Sequence, residues 1–84
     1  MYNEDMEMQP ETLTKRIGEN IRRRREELGM TQSALAGQLG MNQGYISDVE
    51  AGKRAPRIAT IAKLAEILET PPSHLLECQT FTTI

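Results

Sequence analysis

Between Leu13 and Leu76 the apolar residues recur at a spacing near 3.6, and glycine or proline interrupts them again and again. No stretch sustains the alternation of a strand, so this segment can bury its apolar faces only as short helices packed on one another. Leu13, Ile17, Ile21 and Leu28 share one face of a first helix. Thr12 or Thr14 can cap its start, and Gly29 is placed to end it. Thr31 is the N-cap candidate of a second helix with Leu35, Ala36 and Leu39 inside, closed by Gly40. Asn42 can cap a third, over about 43–51, with Ile46 and Val49 inward and Gly52 at its end. Past Pro56, Ile58, Ile61, Leu64, Ala65 and Leu68 stripe a fourth helix that Pro71 and Pro72 stop. Pro72 can open a last short helix carrying Leu75 and Leu76. The fold class predicted is all-α, a compact five-helix domain.

Residues 1–11 stand outside the pattern. They are polar and carry Glu4, Asp5, Glu7 and Glu11 with no base, so they read as an acidic flexible tail in which Pro10 breaks local structure. Gln79–Ile84 reads as a second tail, which leaves a domain over 12–78. At 84 residues the chain is one small domain, with no room for a separate ligand-sensing fold or a large enzyme cleft. Tyr2, Tyr45 and Phe81 are the only aromatics, so the core must come from Leu, Ile, Ala and Met, with Met30 and Met41 as fillers at helix junctions. A single cysteine, Cys78, excludes an internal disulfide and a multi-cysteine zinc site, and nothing around it supports nucleophilic catalysis. His74 has no second histidine to share a metal with and reads as a solvated or interface residue. No metal, no cofactor and no enzymatic activity are expected. No apolar run approaches the roughly 20 residues of a membrane span, and the acidic N-terminus is no signal peptide, so a cytoplasmic protein is expected.

The net charge of −2 conceals a division. All ten Lys and Arg fall within 15–63 against five acids, while both ends are acidic. A basic middle of this kind suits a polyanion, although a solvated mixed-charge surface explains it as well. The second and third predicted helices are separated only by Gly40, Met41 and Asn42, which makes them a helix-turn-helix candidate.

The residues carry a more specific pattern. Ile21-Arg22, Arg25, Gly29-Met30-Thr31-Gln32, Leu35-Ala36, Gly40, Tyr45-Ile46-Ser47, Glu50, Gly52-Lys53, Pro56 and Leu64-Ala65 stand at the offsets of the Cro/C1-type helix-turn-helix family, which this chain resembles over roughly 15–77. That family takes in lambdoid phage repressors, Xre-like regulators and restriction–modification controller proteins. The resemblance implies a five-helix, lambda-repressor-like DNA-binding domain, usually a homodimer, that regulates a promoter. The sequence departs from the family at Arg24, where an apolar residue is usual, and at Gly44, where a polar side chain is usual.

A recognition helix presents polar side chains near its start to a major groove about 12 Å wide. With Ile46 and Val49 inward, Gln43, Gly44, Ser47 and Asp48 lie on the opposite side of the third helix. Gln43 can pair in bidentate fashion with adenine, Asp48 can accept from cytosine, and Ser47 can do either with little discrimination. Gly44 has nothing to read with, but it admits close backbone approach; a neutral small residue is the alternative. For the other three the alternative is a solvated polar face. Gln32, at the start of the second helix, matches the family's phosphate-binding glutamine, with free helix amides beside it. Tyr45, Lys53, Arg54, Arg57, Arg22 and Arg23 are the further phosphate candidates, although Tyr45 also reads as a packing residue and part of the run Arg22–Arg25 must be solvated. In the family, arginine and glutamate at the positions of Arg25 and Glu50 form an ion pair between the first and third helices, which is a structural role.

The function expected is a sequence-specific transcriptional regulator binding a double-stranded DNA operator as a homodimer, with no membrane and no small-molecule effector. A restriction–modification controller or a small phage-type repressor fits. The alternative is a protein-interaction module, such as an antitoxin or anti-repressor. Leu75 and Leu76 are adjacent and cannot both enter one small core, so dimerisation is expected through the last helix, with the 78–84 tail as a further candidate.

Overall fold

The computed structural model describes residues 10–77. The described residues form five helices and no strand: α1 (Pro10–Glu27), α2 (Gln32–Leu39), α3 (Gln43–Glu50), α4 (Ile58–Ile67) and α5 (Pro72–Leu76). α1 begins at Pro10, two residues inside the expected tail. Proline lacks only an N–H that a first helical residue would leave unpaired, so it opens the helix rather than breaking it, and neither Thr12 nor Thr14 is its cap. The expectations for residues 1–9 and 79–84, and for Cys78, fall outside the described residues.

Both caps of the central pair are those the sequence points to. Thr31 Oγ1 accepts from the Ala34 N–H at 3.0 Å, and Asn42 Oδ1 accepts from the Tyr45 N–H at 2.9 Å. Each such cap stabilises by about 1 kcal/mol. The first four helices all stop in the same way. A residue turns left-handed, and the next N–H reaches back across the last turn: Met30 to Arg25 O, Met41 to Ala36 O, Lys53 to Asp48 O and Thr70 to Ala65 O. Gly29, Gly40 and Gly52 supply the left-handed residue in three cases; the fourth is Glu69, at φ 55°. Glycine takes this conformation without the crowding a Cβ meets, so Glu69 is held there by its surroundings.

Arg24 is what holds it. Its Nε donates to Leu68 O at 2.8 Å and its Nη2 to Glu69 O at 3.2 Å, satisfying carbonyls at the end of α4 that have no partner within the helix. This accounts for an arginine where the family has an apolar residue.

The core is one cluster of Ile17, Ile21, Leu35, Ala36, Ile46, Val49, Ile61, Leu64, Ala65, Leu68 and Leu75. α1 packs on α3 and α5, α2 on α3 and α4, and α4 on α5. Three expected core residues sit elsewhere: Leu13 and Met41 are exposed and Ile58 is 85% exposed, whereas Leu28, Met30 and Leu39 are half-buried and pack against the core from its edge. Leu13 lies in the first turn of α1 and Ile58 opens α4, at ends that the other described elements leave exposed. Leu75 is buried and Leu76 exposed, as adjacent residues on one short helix require.

Two residues that the periodicity did not single out tie α1 to the rest. Gly18 is buried, and a Cβ there would collide with the carbonyl oxygen of Val49 and stand 2.9 Å from that of Glu50, so α1 and α3 approach at backbone distance. Asn20, 8% exposed, donates to Leu75 O and to Glu77 O, each at 2.9 Å, and fastens the end of α5 against α1.

Candidate nucleic-acid interface

α2 and α3 form a tight helix pair about the turn Gly40–Asn42, and the start of α3 lies open to solvent. Ile46 and Val49 are fully buried and fix which way the helix faces. Gln43, Gly44 and Asp48 are therefore exposed, and Ser47 half-buried. A Cβ on Gly44 would meet only Asn42 Oδ1, at 3.4 Å, so the space over this glycine is open.

Behind that face runs a chain of hydrogen bonds. Gln43 Nε2 donates to Gln32 Oε1 at 2.8 Å. Gln32 Nε2 donates to Glu50 Oε1 at 3.0 Å. Glu50 takes both prongs of Arg25, Nε to Oε2 at 2.6 Å and Nη2 to Oε1 at 3.0 Å, and Arg25 Nη1 donates to Met30 O at 2.7 Å. The side chains of Arg25 and Glu50 are only 10% and 4% exposed, so this forked pair is shielded from water. The Arg25 pKa is raised above its ordinary value. The bond to Glu50 is the largest cause, burial opposes it, and the charges of Glu50 and Glu26 add to the rise.

The cationic candidates fall into three places. Arg22 lines a cleft of about 290 Å³ together with Arg25, Gln32, Ser47 and Glu50, beside the start of α2. It also pairs with Glu26 at 3.1 Å on the surface of α1. Tyr45, Arg54 and Arg57 line a second cleft, with the Arg54 guanidinium 5.1 Å from the Tyr45 ring centre. An exposed contact of this kind contributes roughly 0.5–1 kcal/mol and holds both groups at the flank of α3. Lys53 is exposed just before them. Arg23 is different. Its Nη1 donates to Asn20 Oδ1 at 3.2 Å, and it lines a cleft with Thr70, His74 and Glu77, so it does not join the α3 group. His74 stands in that same cleft, with Nδ1 3.2 Å from the Thr70 hydroxyl.

The sequence residues that gather are thus Gln32, Gln43 and Ser47 with Arg22 on one side, and Tyr45, Arg54 and Arg57 on the other. The Gln43–Gln32 bond was missed at the sequence level; its only signal was two glutamines, each beginning a helix of the same tight pair.

The helix-turn-helix family model matches residues 21–75, from the middle of α1 to α5. The chain belongs to the Cro/C1-type helix-turn-helix family of transcriptional regulators. Among relatives of this helix-turn-helix protein, the control protein C.BamHI of Bacillus amyloliquefaciens is 35% identical over 69 residues, covering 81% of this chain and 82% of its own. The transcriptional repressor RghR of Bacillus subtilis is 45% identical over 61 residues, but the match spans only 45% of that longer protein. Among solved structures, the restriction–modification controller protein C.AhdI of Aeromonas hydrophila superposes with a TM-score of 0.70 at 32% identity, over 74% of this chain and 94% of its own.

Proposed function

We propose that this helix-turn-helix protein regulates transcription as a homodimer on operator DNA, with α3 in the major groove of each half-site. The observation that carries this reading is the exposed start of α3, bearing Gln43, Ser47 and Asp48 between two groups of cations. Gln43 reads a base edge, Ser47 and Asp48 adjust the reading, and Gly44 lets the helix approach closely. Gln32, Tyr45, Arg22, Lys53, Arg54 and Arg57 contact phosphate and set the register. Arg23, turned toward α5, is not among them.

The second copy has a surface to occupy. Leu13, Ala55, Pro56, Ile58, Ala62 and Leu76 line an apolar hollow of about 670 Å³ where the starts of α1 and α4 meet α5. A patch of this kind marks an interaction site in a small water-soluble domain. Its position one residue past Arg57 makes the dimer face continuous with the phosphate-contacting loop. The close match in extent to C.BamHI supports a restriction–modification controller over a phage repressor; a neighbouring endonuclease or methyltransferase gene decides it.

Selection of bound sites from a random duplex library tests the whole reading. Paired half-sites one helical turn apart, or a multiple of it, are expected. Affinity should fall with salt at a log–log slope of about −5 to −7, from roughly 6–8 neutralised phosphates in the dimer. A slope near zero with no enriched sequence would overturn DNA as the ligand and favour a protein-interaction module.

A further inference from the structure

We propose that the acidic residues 1–9 dock on the cations where the start of α1 meets the loop after α3, compete there with DNA phosphate, and so set the protein concentration at which an operator fills. The docking follows from charge and chain geometry alone; its consequence for DNA rests on the DNA-binding reading.

The geometry begins at Gly52. A Cβ there would stand 2.6 Å from Lys15 Cγ and 3.2 Å from Lys15 Cα, so the first half of α1 lies directly on the turn that leaves α3. Just before Lys15, Leu13 and Thr14 line the same hollow as Ala55, Pro56 and Ile58. α1 therefore starts beside the loop 53–57. Pro10, its first residue, stands only about 5 Å beyond Leu13 along the helix axis. Nine residues can span up to about 30 Å, which puts this loop within reach of the segment that precedes Pro10.

The charges are complementary. Residues 1–9 hold Glu4, Asp5 and Glu7 and no base. Lys15, Lys53, Arg54 and Arg57 are exposed, and among the described residues no carboxylate lies within ion-pair distance of them. Further along α1 the pattern is the reverse: Arg22, Arg24 and Arg25 each have an acid. A segment tethered this closely meets its target at an effective concentration of millimolar order. At roughly 4 mM, a contact with a dissociation constant of about 1 mM leaves about one fifth of the loop free, which weakens apparent DNA affinity about fivefold. A duplex offers far more phosphates than the segment has carboxylates, so it displaces the segment instead of being excluded. The competition carries no base information, and its cost is the same for every sequence.

The test sets the wild-type chain against Glu4→Gln/Asp5→Asn/Glu7→Gln, a variant of equal length. Without DNA, the two are compared by heteronuclear NMR. At about 50 mM salt the amide signals of Lys53, Arg54, Ala55 and Arg57 should differ between them, and those of Thr70 and His74 should coincide; near 500 mM the differences should fade through screening. They should persist in an Ile58→Asp background, and their loss there would hand the contact to a second copy's residues 1–9 and overturn the within-chain form. Affinities for a random-sequence duplex and for one carrying the selected half-sites should both rise in the variant, by the same factor of at least about fivefold at 50 mM salt, and by less than about twofold at 300 mM. Coincident loop signals overturn the docking even if DNA binding tightens, since the gain would then be simple repulsion removed. Differing loop signals with unchanged affinity overturn the competition. Failure of both proteins to bind any duplex overturns the DNA-binding reading, and the competition with it, while the loop signals still decide the docking.

Discussion

The two faces of this small domain are finished very differently. On the α2–α3 side a continuous chain of hydrogen bonds joins Gln43 at the surface, through Gln32, to the shielded pair of Glu50 and Arg25 and on to Met30 O. On the side where α1, α4 and α5 meet, Ile58 stands 85% exposed with Leu13 and Leu76 beside it. The first face is ordered before it meets anything. The second is left bare, and it is the face proposed above for a second copy. A reading surface gains from order in advance, because freedom lost beforehand is not lost on binding. An apolar surface needs only shape and area, and side-chain order contributes less there.

Removing the anchor of the ordered face should have the largest effect. Arg25→Ala leaves the shielded Glu50 carboxylate without its counter-charge and should cost about 3–5 kcal/mol in denaturant unfolding. Because the Arg25 pKa is higher folded than unfolded, its contribution is complete below the ordinary arginine value and is lost only as pH rises past it. The difference in stability between wild type and Arg25→Ala that comes from arginine ionisation should accordingly hold steady from about pH 6 to 9.

Gly18→Ala comes next. It drives a methyl group into the backbone of Val49 and Glu50 and should destabilise by about 1–3 kcal/mol, read as a lower melting temperature. Since it moves α3 relative to α1, operator affinity should fall as well, whereas the bare face should dimerise unchanged.

Glu69→Gly should have a smaller effect of opposite sign. It relieves a left-handed residue and keeps the carbonyl that Arg24 holds, so a gain of roughly 0.5–1 kcal/mol is expected in the same unfolding assay. A loss would mean that the Glu69 side chain itself matters.

Ile58→Asp should alter folding least, by less than about 0.5 kcal/mol, because the side chain is already in water. It should nonetheless abolish the dimer in sedimentation and weaken operator binding while leaving the selected half-site sequence unchanged. A dimer that persists would move the interface off this face.

The fold was legible in the sequence where its causes are local. Thr31, Asn42, Gly29, Gly40 and Gly52 act within six residues of themselves, and each could be read from its neighbours. What escaped acts across the chain. Gly18 gave a signal, a costly glycine inside a strong helical pattern, but not the element it lies against. Arg24 and Asn20 serve carbonyls more than forty residues away. Ile58 and Leu13 fit the helical stripe but stand exposed at its edge, because periodicity gives a face and not what covers it. At the candidate site, residue type and helix position brought Gln32, Gln43, Tyr45, Arg54 and Arg57 into view, whereas the displacement of Arg23 and the link between the two glutamines needed coordinates.

The bonds from Asn20 to the carbonyls of Leu75 and Glu77 have a kinetic meaning. They close loops of 55 and 57 residues, whereas the helix stops and the α2–α3 turn close within a few. Closing a long loop is entropically costlier, so short-range structure forms first and this clasp last. Contacts formed after the folding barrier do not speed the climb; they slow the descent. Asn20→Ala should therefore leave the refolding rate nearly unchanged in stopped-flow traces and accelerate unfolding. The residue would set the lifetime of the folded chain rather than the time taken to reach it.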